Sequence, residues 1–432
     1  MNAFGNFFVC LLLFYLRSAN APVRFATSSI RTILFLFFFP YDCNNQEFLL
    51  EPLTKILTGM AVEACYCEDD FLQQLDAAVN GDDANPKSIT SLDLSGNRMD
   101  AQVCTDVSWK YISLLSSLTS MDLKANNIGP DGWSALYQAL SSTCSGTLEE
   151  LDVSENGIFD EGLFQVAKLL VEAKRLRSLA LVTNSLTPRG IPTLCDGLRH
   201  AHSLKSLLID YNNLGDVGAA MIVEVVVGLP NLTRLGLSDN SIGDAGAVAI
   251  AKGLLAARKN NKGGKGKWTA SRIEWLNLSC NAIGDAGFVA LGDALCDVNG
   301  NAAIRNVDLS CNQKCGESGR MHLATSSAKW AALTSVELCS MNLSTGSVLA
   351  LAAAVRNPKS SLRYVEYFNN PDVAQEAEAE LAKAMDECEK PDRDLARRWD
   401  AENKTAALFV SAGIFGVGIV AFLAARLISS KK

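Results

Sequence analysis

From Ile89 onward one pattern, L-x-x-L-x-L-x-x-N-x-L, governs the chain. Its first copy uses Ile89, Leu92, Leu94, Asn97 and Met99, and its second Leu118, Met121, Leu123, Asn126 and Ile128. Eight more copies follow. The asparagine column runs Asn97, Asn126, Asn156, Asn184, Asn212, Asn240, Asn281, Asn312 and Asn370, with Met341 in the ninth place, and successive members are 29, 30, 28, 28, 28, 41, 31, 29 and 29 residues apart. A unit of this length cannot bury its apolar face alone. The copies must stack, which overrides the two or three compact domains that 432 residues would otherwise suggest.

Each position in the unit has a physical reading. A short strand with apolar residues at period two turns Leu92 and Leu94 inward and leaves Ser91, Asp93 and Ser95 outward. The asparagine then turns the chain, and its amide can satisfy backbone groups of neighbouring coils. A helix follows. Its start is marked by Gly129-Pro130-Asp131-Gly132, Gly215-Asp216-Val217-Gly218, Gly243-Asp244-Ala245-Gly246 and Gly284-Asp285-Ala286-Gly287, where aspartate suits a helix N-cap and glycine allows close approach. Val248, Ile250, Ala251, Leu254 and Leu255 then fall at helical spacing, so one helix face covers the strands.

Ten matches across residues 89–372 resemble the ribonuclease-inhibitor-like class of leucine-rich repeats, whose 28- and 29-residue units alternate strand and helix. The resemblance implies an α/β solenoid, a horseshoe with parallel strands on the concave face and helices on the convex face. That class includes ribonuclease inhibitor, the Ran GTPase-activating proteins and the sensor arms of nucleotide-binding innate receptors, so it implies a fold better than a function. This chain departs from the pattern at Met341, at Lys314 in an apolar column, and in a long insertion after the sixth repeat.

The remaining segments are expected to divide as follows. Residues 1–41 form a hydrophobic basic leader, 42–88 a linker and an N-terminal capping helix around Phe71–Val79, and 373–404 a C-terminal capping helix and linker. Residues 405–428 are read as a membrane-spanning helix, because Ala406 to Ala425 is an uncharged run long enough to cross a bilayer, and 429–432 as a short basic tail. The arrangement is that of a tail anchor, and Ala412-x3-Gly416 offers a weak helix-pairing face. The leader admits three readings: a secretory signal, an organelle-import segment, or a stretch absent from the mature chain, with Met60 just before the cap. Unpaired cysteines favour a cytosolic solenoid. Glycosylation triplets at Asn231, Asn277, Asn342 and Asn403 argue weakly for the secretory pathway.

Charge and cysteine usage narrow the chemistry. The net charge is −8, and because the first 41 residues hold Arg17, Arg24 and Arg31 and no acid, the rest is more acidic still. Such a body would not bind nucleic acid by its overall field. The 13 cysteines are scattered singly, without the paired rhythm of a disulfide framework. Cys280 and Cys311 hold equivalent places in successive repeats, so stacking explains their spacing, while Cys65-x-Cys67 and Cys311-x3-Cys315 lack a second ligand pair for zinc. Neither a metal nor another cofactor is expected.

Catalysis is not expected either. His200, His202 and His322 have no serine or cysteine beside them in a nucleophile setting, and the glycine- and lysine-rich stretch 260–267 lacks the glycine and the serine or threonine of a phosphate-binding loop. The informative surface is the concave one. Its central column reads Asp93, Asp122, Asp152, Ala180, Leu208, Gly236, Asn277, Asp308, Glu337 and Glu366, which places acid on both arms and none in the middle. Beside that middle lie Val182, Asp210, Tyr211, Arg234 and Trp275, a mixture typical of protein-binding anchors. Acids that merely keep an open sheet soluble, with Trp275 packed on its neighbours, would account for the same pattern. The basic insertion at 258–267 is either a solvated loop or a contact for acidic lipid headgroups or an acidic partner.

The expected function is therefore a membrane-anchored scaffold or adaptor whose concave face holds a protein. A GTPase regulator like the Ran GTPase-activating proteins, for which no catalytic residue can be carried over, and an external receptor-like protein are the alternatives.

Overall fold

A computed structural model describes residues 60–61, 68–81, 84–259, 272–296, 304–330 and 332–388. The leader, most of the basic insertion, Cys65, Cys67 and the apolar segment 405–428 lie outside the described residues. Strands and helices alternate: β1 (Met60–Ala61), α1 (Glu68–Asn80), β2 (Ser91–Asp93), α2 (Ala101–Lys110), β3 (Ser120–Asp122), α3 (Gly129–Thr143), β4 (Glu150–Asp152), α4 (Phe159–Glu172), β5 (Ser178–Ala180) and α5 (Ile191–Leu198). Then come β6 (Ser206–Leu208), α6 (Gly215–Val226), β7 (Arg234–Gly236), α7 (Asp244–Lys259), β8 (Trp275–Asn277), α8 (Asp285–Cys296), β9 (Asn306–Asp308), α9 (Glu317–Ser326), β10 (Ser335–Glu337), α10 (Thr345–Arg356), β11 (Tyr364–Glu366) and α11 (Gln375–Glu387). Among these residues no helix is long and apolar enough to cross a membrane.

The eleven strands form one parallel sheet in strict sequence order. Its first member is an addition to the ten expected: Met60 and Ala61 pair with Leu92 and Asp93, ahead of the capping helix. The middle residue of each repeat strand points into the core, as with Leu92, Met121, Leu151, Leu207 and Leu276, all at most 2% exposed. The covering face of α7 consists of Ala247, Ile250, Ala251 and Leu254 rather than the set containing Val248, which is half-exposed. A helix packs against each end of the described sheet. Phe71, Leu75 and Val79 of α1 are buried, and α11 buries Ala377, Leu381 and Ala384 while Glu380 and Glu387 clasp Arg356 of α10 at 2.6 and 2.8 Å.

The asparagine column forms a ladder. Asn212 is representative: its Oδ1 accepts from the backbone N–H groups of Asn184 and Leu186 in the preceding coil, and its Nδ2 donates to the carbonyls of Leu181 and Ile209. Asn126, Asn281 and Asn370 repeat the arrangement. At Met341 the thioether sulfur takes the N–H of Asn312 at 3.3 Å, and at Asn156 and Asn240 Oδ1 accepts nothing. The residue before each ladder position, from Gly96 through Ala125 and Thr183 to Asn369, holds a left-handed φ, which lets the strand turn sharply toward the helix.

The aspartates at the helix starts correct an expectation. Asp131, Asp160 and Asp216 follow N-cap residues Ile128, Ile158 and Leu214, whose side chains cap nothing. The carboxylates of Asp160 and Asp216, like those of Asp244 and Asp285, serve the next coil instead. Asp216 Oδ1 accepts from Gly243 N and Gly246 N at 2.7 and 2.8 Å, Asp244 Oδ1 from Gly284 N and Gly287 N, both at 2.8 Å, and Asp285 Oδ1 from Gly319 N at 3.0 Å. Helices α7, α8 and α9 thus receive an anionic cap from the preceding coil, where the helix dipole favours negative charge, whereas Asp100 caps its own helix α2 through the N–H groups of Gln102 and Val103. The glycine at Gly287 is required, because a Cβ there would meet Ala247 Cβ at 2.8 Å. Lys314 is exposed and leaves its apolar column, and Cys315, 2% exposed, fills the place.

Candidate functional site

Parallel register brings the strand-end residues into one row. Asp93, Asp122, Asp152, Ala180, Leu208, Gly236, Asn277, Asp308, Glu337 and Glu366 pair consecutively from β2 to β11. Three aspartates therefore line one arm and Asp308, Glu337 and Glu366 the other, each half-exposed. Several also have a local duty. The Oδ1 atoms of Asp93, Asp122, Asp152, Asn277 and Asp308 accept the backbone N–H two residues on, at 2.8–2.9 Å, which fixes the chain as it leaves the strand. Asn277 shows that an amide performs this duty, so the turn itself does not require acid. Its buried, engaged side chain is also closed to glycosylation in the folded chain.

The acids of the first arm carry an electrostatic cost. Burial, with the neighbouring carboxylates of Asp152 and Asp93, raises Asp122 from 3.8 to about 6 against the opposing pull of Lys124, and burial likewise raises Asp152. A carboxylic acid whose folded value exceeds its unfolded one binds more protons when folded, so its contribution to stability falls as pH rises from 3.8 through about 6. At neutral pH the ionisation of Asp122 therefore costs the fold stability.

The middle of the face differs from the expectation of an exposed aromatic anchor. Trp275 is only 5% exposed, flanked in the sheet by Arg234 and Asn306, and the Arg234 guanidinium lies 4.9 Å from its ring centroid. Val182 is fully buried. Asp210 is buried as well: its Oδ1 accepts from Ser238 N at 2.7 Å, and its carboxylate fills the space that a Cβ on Gly236 would need. Burial raises Asp210 to about 7, with Arg234 opposing the rise, and burial lowers Arg234. Solvent meets Leu208, Tyr211 and Arg234 over this buried acid, all half-exposed.

One exposed group was missed. Phe368, 70% exposed, occupies the position two residues past β11 that holds serine, cysteine or Lys124 in most other repeats. Reading that second column would have found it. Among the described residues no group of three or more His, Cys, Asp and Glu is placed to bind a metal ion.

A solenoid of stacked strand–helix units with one parallel sheet is the class these features define. The Leucine Rich repeat family model matches residues 145–167, 200–223, 228–251 and 274–292, and the chain is a leucine-rich-repeat protein. It is similar to an internalin from Listeria monocytogenes at 17% identity and a TM-score of 0.39, over 69% of this chain and 66% of that one. A leucine-rich repeat-containing protein from Legionella pneumophila matches at 16% identity and a TM-score of 0.47, over 77% of this chain and 99% of that one. At these identities neither likeness carries functional information.

Proposed function

We propose that the protein is a scaffold of the ribonuclease-inhibitor-like subclass, tethered to a membrane through residues 405–428, whose concave face holds a protein with basic patches opposite its two acidic arms. The 28- to 31-residue spacing of most units and the strand–helix alternation support the subclass. The observation that carries the binding reading is Asp122. An acid whose ionisation costs the fold stability, at a position where an amide makes the same turn, supports a role for the charge itself.

Two experiments test the reading. Asp122→Asn, Glu337→Gln and Glu366→Gln, combined in the full chain in detergent, should retain the turns and lose the proteins that the parent captures from its source cells. Asp122→Asn alone should raise the melting temperature at pH 7 and not at pH 4. Unchanged capture would sink the acidic-arm assignment. For the tether, removal of residues 405–432 should move the chain from the membrane pellet to the supernatant, and continued sedimentation with lipid would exclude that segment as the anchor.

A further inference from the structure

Cys280 and Cys311 stand three residues beyond the ends of β8 and β9, one above the other in the seventh and eighth repeats. Their backbones are locked in step, with φ of 55 and 61° and Cys280 N donating to the carbonyl of Ser310 at 2.8 Å. Both are half-exposed and unbridged, and each thiol lies within electrostatic reach of the other. Neighbouring strands lie about 4.8 Å apart, inside the roughly 4.4–6.8 Å Cα separation that a disulfide spans. The ladder therefore stacks two cysteines whose backbone spacing suits a disulfide on the rim of the concave face, where Tyr211 lies within electrostatic reach of both.

We propose that Cys280 and Cys311 form a reversible thiol–disulfide site that hydroperoxides oxidise, stapling the seventh repeat to the eighth beside the centre of the concave face. The reacting sulfur is Cys311. The neighbouring Cys280 thiol and Ser340 hydroxyl favour its thiolate and pull it down, against burial and the Asp308 carboxylate. At Cys104, Cys144, Cys315 and Cys339 burial wins and pushes the thiol up to about 12, and it also raises Cys296 despite the Ser326 hydroxyl. In the first step the Cys311 thiolate attacks one oxygen of hydrogen peroxide; the O–O bond breaks, hydroxide leaves and takes up a proton to become water, and a sulfenic acid remains. In the second the Cys280 sulfur attacks the sulfenic sulfur, the S–O bond breaks, the hydroxyl leaves as water with the Cys280 proton, and the S–S bond closes. Two thiols are oxidised and one peroxide is reduced to two waters.

The full chain in detergent, fully reduced and then exposed to hydrogen peroxide, should yield a Cys280–Cys311 crosslinked peptide in non-reducing mass spectrometry, lighter by two hydrogens and released by dithiothreitol. Before oxidation, iodoacetamide should label Cys311 about tenfold or more faster than Cys339. Cys280→Ser should leave a Cys311 sulfenic acid that dimedone traps, and serine suits the position, since Ser340 occupies it one repeat beyond Cys311. Labelling of Cys311 no faster than Cys339, or oxidation of both sulfurs without a crosslink, would overturn the proposal.

Discussion

Replacing Asn281 by alanine is expected to destabilise the solenoid by about 3–5 kcal/mol, because buried backbone groups left without partners cost roughly 1–3 kcal/mol each. Its Oδ1 accepts from Asn240 N and Ile242 N, both at 3.0 Å, and its Nδ2 donates to Leu237 and Leu278 carbonyls at 2.9 and 3.1 Å. Alanine returns none of these bonds, and the site is too enclosed for water to replace them all: Asn281 is 8% exposed. Urea unfolding followed by circular dichroism measures the loss. A change under about 1 kcal/mol, the worth of one ordinary hydrogen bond, would show that the ladder does not hold the coils together. Met341 marks the limit of tolerance, since a long apolar side chain fills the position and still offers sulfur to one N–H.

Asp244→Ala is expected to cost about 2–4 kcal/mol, since hydrogen bonds to a charged acceptor are worth about 1.5–3 kcal/mol and two are lost. The carboxylate caps α8, a helix of the following repeat, from across the insertion. Losing it frees two N–H groups at the α8 N-terminus, and the damage should therefore appear one repeat downstream of the substitution. Hydrogen exchange resolved by peptide should show the first turn of α8 opening before α7 does. Opening confined to α7 would mean that the aspartate stabilises its own helix.

The contrast between these two residues explains what the sequence disclosed. The asparagine ladder was legible because its period recurs at fixed offsets, and the acid row was legible because parallel strands keep equivalent residues in register. The role of the aspartates was hidden, because capping rules read along the chain and these carboxylates act between coils. The first strand was hidden for another reason: Met60 and Ala61 are too short a segment to show alternation.

The centre of the face was partly misread because outward direction is not exposure. Trp275 points off the sheet, yet the Arg234 guanidinium lies against its ring. Asp210 looks like a surface acid, but Gly236 in the next coil leaves a hollow that its carboxylate enters. Both effects depend on residues about 26–41 positions away in sequence, joined only when the coils stack.

The central claim is that the concave row holds the partner. Its most direct test is hydrogen–deuterium exchange on the full chain with and without a captured protein. Binding at the proposed face predicts slower exchange in the segments that leave β2, β3, β4, β9, β10 and β11, with the helices on the opposite side unchanged. Slowing confined to the helices, with the strand ends exchanging as in the free chain, would contradict it.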